Sequence, residues 1–195
     1  MALSLACDCG RVQGTVEAGQ AYVRATCYCH DCQVYARILD RPGITDGEGG
    51  TDIVAMNPAA VRITSGDEHI ACLSLSEKGL LRWYAACCRT PLGNTPRNPK
   101  LAYVGMVARS LRPPKEVNEA YGREGRVVLN AGSAKGSVKG TPFAFLLGGL
   151  HILGGIISGR LRGQAPSLFF DARGPIRTPE VVAAAQKEKS AEDDS

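Results

Sequence analysis

Short runs in which apolar and polar residues alternate dominate the first two thirds of the chain, and a period of two places successive side chains on opposite faces of a strand. Leu3 to Ala6 and Arg11 to Val16 predict two strands around the turn Cys7-Asp8-Cys9-Gly10, where Gly10 is free to take a positive φ. Ala21 to Thr26 predicts a third. It runs straight into Cys27-Tyr28-Cys29-His30-Asp31-Cys32, after which Val34, Tyr35, Ile38 and Leu39 recur at helical spacing. Arg41 to Asp52 is rich in Gly and Asp and reads as a long surface loop. Asp52 to Met56, Val61 to Thr64, His69 to Ser74, Leu80 to Ala85 and Leu101 to Val107 predict further strands. Glu77-Lys78-Gly79 turns one of them into the next, and Pro113-Pro114 marks a break.

Beyond Val128 the pattern changes. Asn130 to Gly140 is rich in Gly, Ser and Lys and predicts a linker, whereas Phe143 to Ser158 is almost free of charge. That uncharged run falls short of the roughly 20 apolar residues a bilayer requires. It also contains His151 and several glycines. The expectation is therefore a buried helix over 143–162, closed by Arg160, Arg162 and Gly163, rather than a membrane span. Pro166 to Phe170 is expected to pack back on the core, and Thr178 with Pro179 to open a short helix whose end lies within 181–195 and which gives way to a charged tail from Lys187 to Ser195. The organisation expected is a β-rich domain over 1–128 and an extension over 129–180.

Composition narrows the function classes. With 195 residues, 44% hydrophobic and 22% charged, the chain has globular proportions and can bury a real core. The net charge of +4 is spread along the chain with few aromatic companions, which argues against a nucleic-acid surface. Met1 to Ala6 has neither a basic start nor a sustained apolar run, so the expected location is the cytoplasm. Thiols stay reduced there, and the eight cysteines then read as metal ligands or reactive groups rather than as disulfides.

Cys27, Cys29 and Cys32 place three thiols within six residues. Such a run is too cramped for two disulfides, yet its turns can bring three sulfurs to the corners of one tetrahedron. Zinc suits thiolates, and with three protein ligands it keeps an open position for water or substrate. The alternative is a structural zinc whose fourth corner is closed by His30 or by a distant residue. His30 and Asp31 are candidates for moving a proton, and Asp31 equally for capping the following helix. His69 and His151 are assigned no role. Trp83 and Tyr84 read as core, and Cys7 and Cys9 as a brace for the fold or as small buried hydrophobes. Arg24, Arg37 and Arg82 lie near the cysteines and suit carboxylate binding, although solvated faces explain them as well.

Three pieces stand in order: Cys7-Asp8-Cys9-Gly10, Cys27-Tyr28-Cys29-His30-Asp31-Cys32 and Arg82-Trp83-Tyr84-Ala85-Ala86-Cys87-Cys88-Arg89-Thr90-Pro91-Leu92. Together they resemble the glutathione-dependent formaldehyde-activating enzyme family, which includes the centromere protein V type proteins. The resemblance covers roughly the first half of the chain. It implies a mainly β fold, the antiparallel β-tent, with two zinc sites. Cys27, Cys29 and Cys32 would hold a catalytic zinc, and Cys7, Cys9 and Cys88 would belong to a structural one. The implied activity is that of a carbon–sulfur lyase, making or cleaving S-hydroxymethylglutathione, with glutathione or a related small thiol as partner.

The third piece departs from the family pattern. Ala85 stands where the first cysteine of a Cys-x-x-Cys pair belongs, and Arg89 replaces the glycine best suited to the knuckle. Cys87 is the nearest substitute ligand and Cys72 the second choice. Three outcomes stay open: a rebuilt structural site, a single zinc at the three-cysteine loop, or neither site firmly occupied. A rival reading is a non-catalytic, zinc-stabilised interaction module whose apolar segment docks on a partner or a membrane surface. A redox-sensing dithiol protein is the third.

Overall fold

A computed structural model describes residues 1–41, 43–164 and 168–182. In chain order the strands are β1 (Ala2–Ala6), β2 (Gln13–Glu17), β3 (Ala21–Cys27), β4 (Thr51–Met56), β5 (Val61–Ser65), β6 (Ile70–Ser74), β7 (Leu81–Ala85), β8 (Thr90–Thr95), β9 (Val104–Val107), β10 (Leu111–Arg112), β11 (Val128–Leu129), β12 (Phe170–Asp171), β13 (Gly174–Pro175) and β14 (Glu180–Val181). Three α-helices interrupt them: α1 (His30–Leu39) after β3, α2 (Pro114–Tyr121) after β10 and α3 (Pro142–Leu161) after β11. The fold is mainly β with three helices among the described residues.

The strands form two principal sheets. The smaller runs β10-β1-β2-β5, the larger β11-β3-β4-β9-β8-β7-β6-β14, and β12 with β13 makes a separate hairpin. Pairing is antiparallel except where β11 joins β3 and β14 joins β6 at the two edges of the large sheet. Leu3, Leu5 and Val16 from the small sheet share one core with Val54, Met56, Leu81, Trp83, Leu92 and Met106 from the large one. Alternation explains the small sheet well, because β1 and β2 bury every second residue. Trp83 is fully buried, stacks on Phe169 at 4.5 Å between ring centroids, and donates its indole N–H to Thr95 Oγ1 at 2.9 Å. A second cluster, Val34, Tyr35, Leu39, Leu73 and Leu75, seats α1 on the sheet.

Several elements differ from expectation, the short strands β10 to β13 among them. β8 carries Pro91 and Gly93 and lacks a strand signature, yet it lies between β9 and β7 with every residue buried. A register shift between Trp83 and Tyr84 accommodates the proline, in keeping with the confinement of Pro in sheets to edges and bulges. Pro114 does not merely break the chain but opens α2, a position where its missing N–H costs nothing. Glu180–Val181 adds a parallel strand to β6 in place of the short helix expected after Pro179; residues 183–195 of that expected helix and tail lie outside the described residues. Pro166 also lies outside them, while Phe169 is fully buried as expected of its segment.

The largest difference concerns α3. A helix forms over Pro142–Leu161 and ends before Gly163, which takes φ +67, but it is not a buried helix: only Gly148 and Gly159 are buried. Its contacts run along β3, β4 and β11. Glycines allow the close approach. A Cβ on Gly155 would run into the Tyr22 ring, and one on Gly159 would lie 2.6 Å from the Cβ of Ala102. The helix is long and apolar enough to cross a bilayer by length and composition.

Candidate functional site

Two cysteine clusters form, and they use seven of the eight thiols. In the first, β1 and the turn after it deliver Cys7 and Cys9, while the turn between β7 and β8 delivers Cys87 and Cys88. Their sulfurs lie within 4.8 Å of one another. The separations include Cys7 to Cys9 at 3.5 Å, Cys9 to Cys87 at 3.3 Å, Cys7 to Cys87 at 4.0 Å and Cys87 to Cys88 at 3.9 Å. A tetrahedron with zinc–sulfur bonds of about 2.3 Å has edges of about 3.8 Å, so the cluster fits zinc in both donor type and size.

Ala85 leaves a gap in the family pattern, and it is Cys87 that joins Cys88 in this cluster; Cys72 belongs to neither cluster, and its sulfur is buried near the Leu73 carbonyl. Adjacent cysteines converge because the backbone turns sharply: Cys88 N–H donates to the Ala85 carbonyl, and Arg89 follows in the left-handed region at φ 56. A non-glycine residue there costs roughly 1–2 kcal/mol, which the surrounding turn must hold. Burial pushes the Cys87 thiol up to about 12. Burial also opposes ionisation of Cys88, but the Thr90 hydroxyl at 3.1 Å and backbone N–H groups outweigh it and hold that thiol at about 6.

Asp8 fastens this cluster to the rest of the fold. Its carboxylate accepts from Arg41 at 2.8 Å, Arg109 at 3.3 Å and Arg112 at 3.0 Å, drawing the first turn against α1's carboxyl end and β10. Partial burial works against its charge, but the arginines win and its carboxyl sits below the ordinary range.

The second cluster is Cys27, Cys29 and Cys32, again with all sulfurs within 4.8 Å. Cys27 ends β3, Cys29 is the N-cap of α1 with extended dihedrals, and Cys32 lies in the first turn. The Cys29 carbonyl accepts from the Cys32 N–H at 3.0 Å, which curls the loop around the sulfurs. Asp31 is not the cap; it occupies the first turn, 3.6 Å from Arg82. Among the described residues no histidine or carboxylate joins the three sulfurs, so His30 does not close a fourth corner. Hydrogen bonds from Cys29 and Cys32 hold the Cys27 thiol far down, at about 2, and raise its two donors. Asn130 adds an N–H to Cys27 at 3.6 Å, a partner from the far side of α2 that local spacing does not reveal.

All three cysteines line a cavity of about 440 Å³. Val23, Ala25, Ile53, Leu80, Leu129 and Ile152 make most of its wall apolar. Tyr103 also faces it, its hydroxyl pushed up to about 12 by burial and then by the charge of the nearby cysteines. Ile152 is a residue of α3, so the C-terminal helix completes the cavity.

The three arginines separate. Arg82 is 3% exposed, reaches Cys32 Sγ at 3.9 Å and lies over the Tyr35 ring at 5.2 Å from its centroid. Arg24 is buried and fully engaged: Asp52 accepts from Nε at 3.0 Å and from Nη2 at 2.6 Å, while Asn118 accepts from Nη1 at 2.7 Å. It ties β3 to α2 rather than forming a solvated face, and it lines a separate cavity of about 650 Å³ with Asp8, Asp52 and Glu124. Arg37 lines a different groove with Gln33 and Arg41. Only Arg82 of the three reaches the cysteine-lined cavity.

A crystal structure of a Rhodobacter sphaeroides protein, Northeast Structural Genomics target RhR83, is similar at 19% identity with a TM-score of 0.41, over 62% of this chain and 98% of that one. That likeness is too remote to bear on function. No curated protein matches the chain. The family of unknown function DUF6151 matches residues 1–150, which hold both cysteine clusters and most of the cavity wall, and the chain belongs to that family.

Proposed function

We propose that the three-cysteine cluster is a zinc centre for carbon–sulfur lyase chemistry on the hydroxymethyl adduct of a small thiol, and that the four-cysteine cluster holds a structural zinc within a β-tent fold. The observation that carries the reading is the contrast in ligand number. Four sulfurs can close one tetrahedron, whereas three at the floor of a cavity leave a corner for something else. When bound there, zinc would supply a Lewis acid and lower the pKa of a thiol beside it.

The chain's own residues account for the rest. Arg82, buried against Cys32, offsets the negative charge of clustered thiolates and fixes the loop. The apolar wall excludes water, which protects a hydroxymethyl adduct from competing hydrolysis. In the forward direction a thiolate sulfur attacks the carbonyl carbon of formaldehyde, one C–S bond forms, the C–O π bond opens, and the oxygen takes a proton. His30 and Asp31 line the cavity and are the candidates to relay that proton. No electrons enter or leave.

Glutathione is the first thiol to test, since the motif resemblance points to it. The cavity bears on the choice, because its single arginine is already shared between Cys32 and Asp31. An apolar thiol adduct suits the wall better than a doubly charged tripeptide. Turnover of S-hydroxymethylglutathione and of the hydroxymethyl adduct of an aliphatic thiol, measured on zinc-loaded protein and on Cys29→Ala, is the test. Activity on either adduct that Cys29→Ala abolishes supports the reading. Equal rates from wild type and variant would remove it.

A further inference from the structure

The outer face of α3 is the largest anomaly of the molecule. Phe143, Phe145, Leu146, Leu147, Leu150, Leu153, Ile157 and Leu161 are all exposed, from 43% to 83%. The inner face is the narrow one: Gly148, Ile152, Gly155 and Gly159 follow one another at helical spacing against β3, β4 and the cavity. A helix apolar all round belongs in a core or in lipid, and this one has a core on one side only.

We propose that α3 lies flat in the surface of an anionic bilayer, with the β domain taking the place of the polar face that an interfacial helix ordinarily carries. Leu146, Leu150, Leu153 and Ile157 form one stripe about 16 Å long, well suited to burial at the boundary of headgroups and acyl chains. Charge selects the occupant. From Gly125 to Phe170 there is no Asp or Glu, while Lys139 precedes the helix and Arg160 and Arg162 close it, all three exposed. Cations at both ends of an apolar stripe match an anionic lipid surface.

A second copy of the chain matches poorly. Packed antiparallel, two such helices set Lys139 of one beside Arg160 and Arg162 of the other; packed parallel, they set like against like. The segment holds no acid to pair with them in either case. A full span is disfavoured for a different reason: α3 is laid along the sheet, and crossing a bilayer would strip Tyr22 and Ala102 of their glycine contacts and open the cavity wall at Ile152. The inference does not depend on the chemistry proposed for the cysteines.

Flotation of the purified full chain with vesicles tests it. Phosphatidylcholine vesicles rich in phosphatidylglycerol should carry the protein, and pure phosphatidylcholine vesicles should carry far less. Each cation near an anionic surface is worth about fivefold in partition, so Lys139→Gln with Arg160→Gln and Arg162→Gln should lower binding about 100-fold at low salt. Leu146→Glu with Leu150→Glu and Leu153→Glu should abolish it while leaving circular dichroism and melting unchanged, since all three side chains point away from the fold. An alkaline wash should release the wild-type protein. Absence of flotation, equal binding to neutral vesicles, retention through the alkaline wash, or a solution dimer that the three glutamates dissociate would each overturn the proposal.

Discussion

The two cysteine clusters share a ligand type and differ in everything that surrounds it. Four sulfurs converge at the end of the small sheet, cross-braced by Thr90 and by three arginines on Asp8. Three sulfurs converge at the start of α1 and look into an apolar cavity. The first arrangement closes on itself and ties distant chain segments, while the second is local in sequence and open in space. The number of sulfurs and their surroundings, more than cysteine chemistry, separate the two clusters.

Ligand removal should break the comparison most visibly. Cys9→Ser takes a sulfur from the closed cluster and should cost about 3–5 kcal/mol of stability, as loss of a structural metal site does. Cys29→Ala should leave the melting temperature within a few degrees yet remove all turnover. Zinc per chain, measured beside thermal melts, should fall from two to one in both variants; a Cys29→Ala protein that unfolds like Cys9→Ser would erase the distinction.

Arg82→Met sharpens the open cluster. It keeps volume over Tyr35 but withdraws the charge from Cys32 and Asp31, and turnover should fall by about tenfold to 100-fold with the zinc content intact. Asp8→Asn probes the closed one. Losing the anion at the centre of three arginines should cost about 2 kcal/mol by chemical denaturation. Because its folded pKa lies below the unfolded value, Asp8 contributes its full stability above the ordinary Asp range and loses it as pH falls through the lowered one. Wild-type and Asp8→Asn melting curves should therefore converge in acid and separate towards neutrality.

Two smaller effects complete the series. Arg89→Gly should stabilise the protein by up to about 1 kcal/mol, because glycine meets φ 56 without the Cβ penalty. Cys72→Ala should leave two zincs per chain and cost little beyond the lost packing of one buried sulfur.

The legible parts of the fold were those set by local pattern. β1 and β2 follow from alternation and α1 from helical spacing, since each buries one face, and the β6–β7 hairpin follows from two apolar runs joined by a Gly-containing turn. β8 was hidden because Pro91 and Gly93 contradict strand chemistry, and only the bulge opposite Tyr84 makes room for them. The three-cysteine cluster was readable because its ligands come from one loop. Asn130, Tyr103 and Ile152, which complete its surroundings, arrive from three other segments and carry no local mark.

By itself the amino-acid order determined which thiols are near one another along the chain, where the strongly patterned elements such as β1, β3 and α1 lie, and that α3 is almost free of charge. Tertiary structure decided the matters that depend on position in space. It brought Cys87 rather than Cys72 beside Cys7, Cys9 and Cys88, in a sharp turn closed by the Cys88 N–H on the Ala85 carbonyl. It made Arg24 a buried clamp on Asp52 and Asn118 rather than a solvated face. And it set α3 on the outside of the sheet, because glycines admit only a narrow contact with β3 and leave the wider apolar face uncovered. Local sequence specifies what a residue can do; long-range packing specifies what it meets.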